Sequence, residues 1–65
     1  MSPLNNRVRV LRSRQSLSVA QLANRIGVSR LTLHALESGL YTPSLPLAVR
    51  LARALNHPVE DVFVV

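Results

Sequence analysis

Between Ser18 and Gly39 the chain reads SVAQLANRIGVSRLTLHALESG, and helix starts and stops follow one another there so closely that only two short helices and a sharp bend fit. Ser18 offers a side-chain oxygen for an N-cap, and Gln21 completes a capping box, so a helix is expected from Val19 with Leu22, Ala23 and Ile26 facing inward. Gly27 comes next, where the lack of a Cβ allows the left-handed backbone that ends a helix. Val28 reads as an apolar plug in the turn. Ser29 caps the following helix as Ser18 caps the first, and Gly39 closes it.

The faces of that second helix differ in chemistry. At about 100° per residue, Thr32, Leu33, Leu36 and Glu37 fall on one side, and Arg30, Leu31, His34, Ala35 and Ser38 on the other. The first side carries the aliphatic anchors. The second mixes a cation, an imidazole and small or apolar groups, which suits contact better than solvation. A short helix pinned across a glycine-containing turn is the helix-turn-helix unit, 18–39 here, whose second helix enters the DNA major groove by its N-terminal residues. Arg30, Leu31 and His34 hold those places, and Arg30 can grip guanine through its two major-groove acceptors. Leu31 and Ala35 can pack on thymine methyl groups. For His34 a base or phosphate contact competes with a plain surface role.

Several local patterns belong together. Leu17-Ser18, Leu22-Ala23, Ile26-Gly27-Val28-Ser29, Leu36-Glu37-Ser38-Gly39 and Tyr41-x-Pro43-Ser44 jointly resemble the lambda Cro and phage-repressor (XRE) type of helix-turn-helix regulator, and the similarity runs from about Arg7 to Phe63. The resemblance implies an all-α, five-helix lambda-repressor-like DNA-binding domain. It also implies a partly buried ion pair between Arg12 and Glu37 that fixes the reading helix against the first helix. The loop after Gly39 would lie along the DNA backbone, with Tyr41 and Thr42 donating to phosphate, although Tyr41 packed on its own loop is the competing reading. Backbone N–H groups at the two helix starts, Ser18-Val19 and Ser29, would hold further phosphates. Three positions depart from the family pattern: Val19 stands where glutamine commonly braces the first base-contacting residue, Leu40 where a phosphate-binding lysine is frequent, and Leu31 where a polar residue is usual.

Sixty-five residues suit one domain, 1–65, and a chain that short buries only about 60% of its unfolded surface, so a monomer is expected to be marginally stable. Hydrophobic residues make up 48% and aromatics 3%, which favours many small aliphatic contacts between helices. The formal charge is +5 and every basic residue is arginine, an excess that attracts polyanions, although genome composition explains an all-arginine inventory equally well. Cysteine is absent, which removes disulfides and thiolate metal sites. No apolar run is long enough for a membrane span, and the N-terminus lacks the apolar core of a signal peptide, so a cytoplasmic protein without membrane contact is expected. No nucleophile with a base, carboxylate pair, phosphate-cradling glycine loop or ligand cluster is present, which argues against an enzyme, a cofactor or a metal. No small-molecule effector is evident.

The flanking segments read in order. Met1 to Asn6 is a short tail, with Ser2-Pro3 or Asn5-Asn6 starting a helix that reaches about Arg14, its inward face at Leu4, Val8 and Leu11 and its arginines Arg7, Arg9 and Arg14 outside. Gln15-Ser16-Leu17 connects, Leu17 stapling onto the next helix. Ser44 caps a fourth helix with Pro46 in its first turn, a buried stripe of Ala48, Leu51, Ala52 and Leu55, outward Arg50 and Arg53, and Asn56 as left-handed cap. His57-Pro58 opens a last short helix whose Glu60 and Asp61 favour its positive end. Val62, Phe63, Val64 and Val65 read as a strand with nothing to pair with in a helical monomer, so two such strands from two chains are expected to pair antiparallel across a twofold axis, within a dimerisation segment of about 58–65. The competing reading folds Phe63 back onto its own core. The function expected is that of a homodimeric, sequence-specific binder of double-stranded DNA, a repressor reading a palindromic operator. A protein-interaction module, such as an antitoxin or a small cofactor of another regulator, is the alternative.

Overall fold

Three serines start the three central helices of the computed structural model, which describes residues 5–64. The Oγ of Ser18 accepts from the Gln21 N–H while the Gln21 side chain accepts from the Ser18 N–H, so α2 (Val19–Ile26) opens on a complete capping box. Ser29 Oγ accepts from Thr32 N–H at the start of α3 (Arg30–Glu37), and Ser44 Oγ from Leu47 N–H at the start of α4 (Leu45–Leu55), where Pro46 falls in the first turn. The first helix, α1 (Val8–Arg14), begins later than the sequence suggested, and Asn6 Oδ1 accepts the Val8 N–H at 3.2 Å. A last turn, α5 (Val59–Val62), carries Glu60 and Asp61 at its positive end.

The helix ends use left-handed residues. Gly27, Gly39 and Asn56 have φ of 77°, 79° and 61°, and behind Gly39 the Leu40 N–H returns to the Ala35 carbonyl at 2.9 Å. Ser16 takes the same role after α1 at φ 56°, with Leu17 N–H bonded to Arg12 O at 3.1 Å. Serine there bears a Cβ clash that glycine lacks. Ser16→Gly is therefore expected to raise stability by about 0.5 to 1 kcal/mol, glycine's extra unfolded-state entropy offsetting part of the gain; urea unfolding followed by circular dichroism reads the change.

The aliphatic faces meet in one core. Leu22, Ala23 and Ile26 of α2 pack with Leu33 and Leu36 of α3, Leu51, Ala52 and Leu55 of α4, and Val8 and Leu11 of α1. Val28 packs against this core from the turn, as its place between two caps suggested.

The five helices and a short terminal strand match the expected all-α domain, but the strand's partner does not. Here β2 (Phe63–Val64) pairs antiparallel with β1 (Asn5–Asn6) of the same chain, Asn6 opposite Phe63 and Asn5 opposite Val64, and Arg7 N–H donates to Val62 O at 2.8 Å. Asparagine is a poor strand former, so Asn5-Asn6 read as a tail or helix start. The backbone groups of Phe63 and Val64 draw them into a ladder nonetheless. Val62 and Phe63 are consequently core residues of their own chain, Phe63 7% exposed, and are not free to bury a second copy. Val64 stays half exposed. Val65, and Leu4 with the proposed Ser2-Pro3 start, lie outside the described residues.

Candidate nucleic-acid interface

What an eight-residue helix can do as a reading head depends on how firmly it is held, and four tethers from other elements hold α3 and its turn. Arg12 on α1 donates through Nε to Glu37 Oε2 at 2.7 Å and through Nη2 to Oε1 at 3.3 Å, while its Nη1 donates to Leu17 O at 2.8 Å. The two side chains are 14% and 6% exposed, so this is a desolvated pair joining α1, the α1–α2 corner and the last turn of α3. Asn6 Nδ2 donates to Leu36 O at 2.9 Å, tying β1 to the C-terminal end of α3. Arg50 Nη1 donates to Ile26 O at 3.1 Å, setting a cation against the negative end of α2 at the turn. Below them Leu33 and Leu36 are fully buried.

On the outer side of this anchored helix Arg30 and His34 are exposed, Leu31 is 82% exposed and Ala35 is partly covered. Thr32, grouped with the aliphatic anchors by helical angle, is partly exposed and its Oγ1 accepts from the Ser29 hydroxyl at 2.9 Å. Ser29 Oγ is thus engaged twice within the protein. Ser18 Oγ is engaged only as an acceptor, leaving its O–H for a ligand, and the first-turn N–H groups of Val19 and Ala20 have no intrahelical acceptor. Tyr41 and Thr42 are both exposed in the loop beyond α3.

A cleft of about 290 Å³ opens between α1, the start of α2 and the second half of α3, lined by Arg9, Arg12, Val19, His34, Glu37 and Ser38. Arg12 and Glu37 satisfy each other, so the polar side chains the cleft leaves for a ligand include Arg9 and His34. Arg9 is expected on the solvated outer face of α1, where the family resemblance also allows one of Arg7, Arg9 and Arg14 to meet phosphate. Its position one helical turn before Arg12 places the two on the same side of α1, and that spacing is the signal that could have found it. Arg50 and Asn6 carried no such signal, because their partners lie 24 and 30 residues away in the chain. His57 Nδ1 and Asp61 Oδ2, 3.9 Å apart and well exposed, form a loose contact one turn apart. Among the described residues no group of three or more His, Asp or Glu side chains could hold a metal ion, and no helix is long and apolar enough to cross a membrane.

A capped helix pair with a glycine turn, an anchored second helix and a basic outer face is the geometry of a DNA-reading unit, and a family model described as a helix-turn-helix domain matches residues 4–62. The chain belongs to the helix-turn-helix family. It is a DNA-binding transcriptional regulator and not an enzyme. The regulator is 48% identical over 58 residues to an uncharacterised HTH-type transcriptional regulator of Methanothermobacter thermautotrophicus, covering 88% of this chain and 84% of the relative. It is 42% identical over 60 residues to the uncharacterised HTH-type transcriptional regulator YgzD of Bacillus subtilis, covering 92% and 91%. Among solved structures the regulator resembles the restriction-modification controller protein C.AhdI from Aeromonas hydrophila, with TM-score 0.79 and 33% identity over 85% of this chain and 83% of that one. It likewise resembles the biofilm master regulator SinR in complex with DNA, with TM-score 0.76 and 25% identity over 83% and 87%.

Proposed function

We propose that the chain works in the cytoplasm as a sequence-specific repressor, one domain over 1–65, two copies of which occupy an inverted-repeat operator with α3 of each in successive major grooves about 34 Å apart. The observation that carries this reading is the outer face of α3: Arg30, Leu31 and His34 stand exposed on a helix tethered at its C-terminal end and anchored beneath by Leu33 and Leu36. Arg30 reads guanine, and Leu31 and Ala35 lie against thymine methyl groups. His34 sits toward the cleft, where with Arg9 it faces a phosphate held by the Val19 and Ala20 N–H groups and the Ser18 hydroxyl. Ser29, Tyr41 and Thr42 flank the phosphates on either side of the reading helix. SinR, whose structure is of a complex with DNA, is a neighbour in fold that binds DNA, which supports the same use here.

Selection of the purified protein on a random duplex pool at low salt tests the reading, with enrichment of an inverted repeat as the expected result. On the selected duplex, Arg30→Ala is expected to weaken binding about 10- to 100-fold and to relax preference at one base pair per half-site, equivalent to about 1 to 3 kcal/mol. Affinity should fall steeply between about 50 and 200 mM salt through counterion release. Binding that shows neither enrichment nor a response to Arg30→Ala would reduce the protein to a nonspecific binder. The exposure of Leu31 and Leu40 favours the second reading, a protein-interaction module such as an antitoxin. Absence of duplex binding at low salt would promote it.

A further inference from the structure

The outer face of α3 is divided lengthwise. Residues four apart on a helix stand one above the other, so Arg30 and His34 form a polar row, and Leu31 and Ala35 form an apolar row about 100° further round. Leu31 is the one large apolar side chain exposed on α3, at 82%, and Ala35 one turn on is partly covered. Ser38, which falls between the two rows by angle, spends its hydroxyl on the His34 carbonyl at 2.9 Å. The side chains of the apolar row offer a base neither donor nor acceptor.

Resting on the operator reading above, we infer that this row makes the regulator responsive to DNA methylation: it takes 5-methylcytosine in place of thymine beside the guanine held by Arg30. In the major groove thymine presents an O4 acceptor and a C5-methyl group, and cytosine presents an N4 donor. A polar side chain sorts the two bases by O4 against N4. An apolar row does not, because strong rejection of an analogue needs a hydrogen-bonding site, whereas an apolar surface responds only to the group it covers. A methyl group on C5 of cytosine stands where the methyl of thymine stands. Thymine and 5-methylcytosine therefore fall in one class for this row, and uracil and unmethylated cytosine in the other. One buried methyl changes affinity roughly fourfold per half-site, which compounds to more than about tenfold over an inverted repeat. Methylation of a cytosine in the operator thus tightens binding. The charge of +5 and the exposed Arg30 beside Leu31 suit a polyanion as the occupant of this face.

Single-methyl exchanges in the duplex selected from the random pool test the inference, with affinity read by fluorescence anisotropy. Each thymine of the half-site is replaced in turn by uracil, which deletes the methyl group and keeps the base pair. At the position that responds, T·A is exchanged for C·G with and without the 5-methyl group. Uracil in both half-sites is expected to weaken binding about 10- to 20-fold against thymine, and 5-methylcytosine to bind more tightly than cytosine by about the same factor. Leu31→Ala is expected to shrink both differences to less than about twofold while the response to Arg30→Ala remains. Circular dichroism of this variant, altered only at an exposed residue, checks that the fold persists. Indifference to uracil at every thymine, no gain from 5-methylcytosine over cytosine, or methyl responses that persist in Leu31→Ala would overturn the inference. A pool that enriches no sequence removes the operator reading and this inference with it. An enriched operator that responds to Arg30→Ala but not to the methyl group removes the inference alone.

Discussion

Glu37→Ala is expected to lower the unfolding free energy by about 3 to 5 kcal/mol, because it strands the Arg12 guanidinium in a site where only the Leu17 carbonyl remains to accept from it. A natural domain has about 0.05 to 0.15 kcal/mol per residue in hand, about 3 to 10 kcal/mol for a chain this short, so a loss of that size removes a large share of the stability. The desolvation argument also fixes what the pair is worth as a pair. Replacing both partners with apolar residues of similar length, Arg12→Met with Glu37→Leu, removes the stranded charge and should recover much of the loss, since a well-packed apolar substitute commonly matches a buried ion pair. Urea unfolding of the two single variants and the double variant completes the cycle. A loss below about 1 kcal/mol for Glu37→Ala would mean that water reaches Arg12 and that the pair behaves like a surface contact.

Phe63→Ala is expected to cost about 3 to 5 kcal/mol as well, for a different reason: the ring is a core group, and its removal leaves a cavity under the β1–β2 pairing. The size of the loss does not by itself separate a strand that closes its own chain from one that joins two chains. Concentration dependence does. With β2 paired to β1, the midpoint of thermal unfolding, and its drop on substitution, should be the same at micromolar and at several hundred micromolar protein. A midpoint that climbs with concentration in the unaltered protein and stops climbing in Phe63→Ala would return the strand to the role of a dimer contact.

Much of this fold was legible because its signals are local. Ser18, Gln21, Gly27, Ser29, Gly39, Ser44 and Asn56 each act through bonds to residues a turn away, and each helix boundary in the central part of the chain lies where they put it. The outward arginines and the inward leucines followed from angle alone. Two things stayed hidden. Asn5-Asn6 has the composition of a turn, and only the backbone groups of a segment at the far end of the chain make it a strand. Arg50, counted among outward residues, is accessible along its length and yet delivers its terminal nitrogen to the end of another helix, an arrangement no periodicity reports. Of the candidate interface, the exposed face of α3 was legible from angle and capping. The cleft beside it was not, because it needs the packing of α1 across α3.

The ladder that pairs Asn5 with Val64 sets the Cα atoms at the two ends of the described chain about 4.5 to 5.5 Å apart. The fold is in effect a ring with a narrow gap, and a few linking residues could close it, after which the backbone could be reopened in the loop between α3 and α4 with every helix left in place. The backbone thus enters β1 and leaves β2 at neighbouring points. Such an architecture can be joined to a neighbour at either side of this gap, or doubled in tandem through a short tether, without disturbing the packing of its helices.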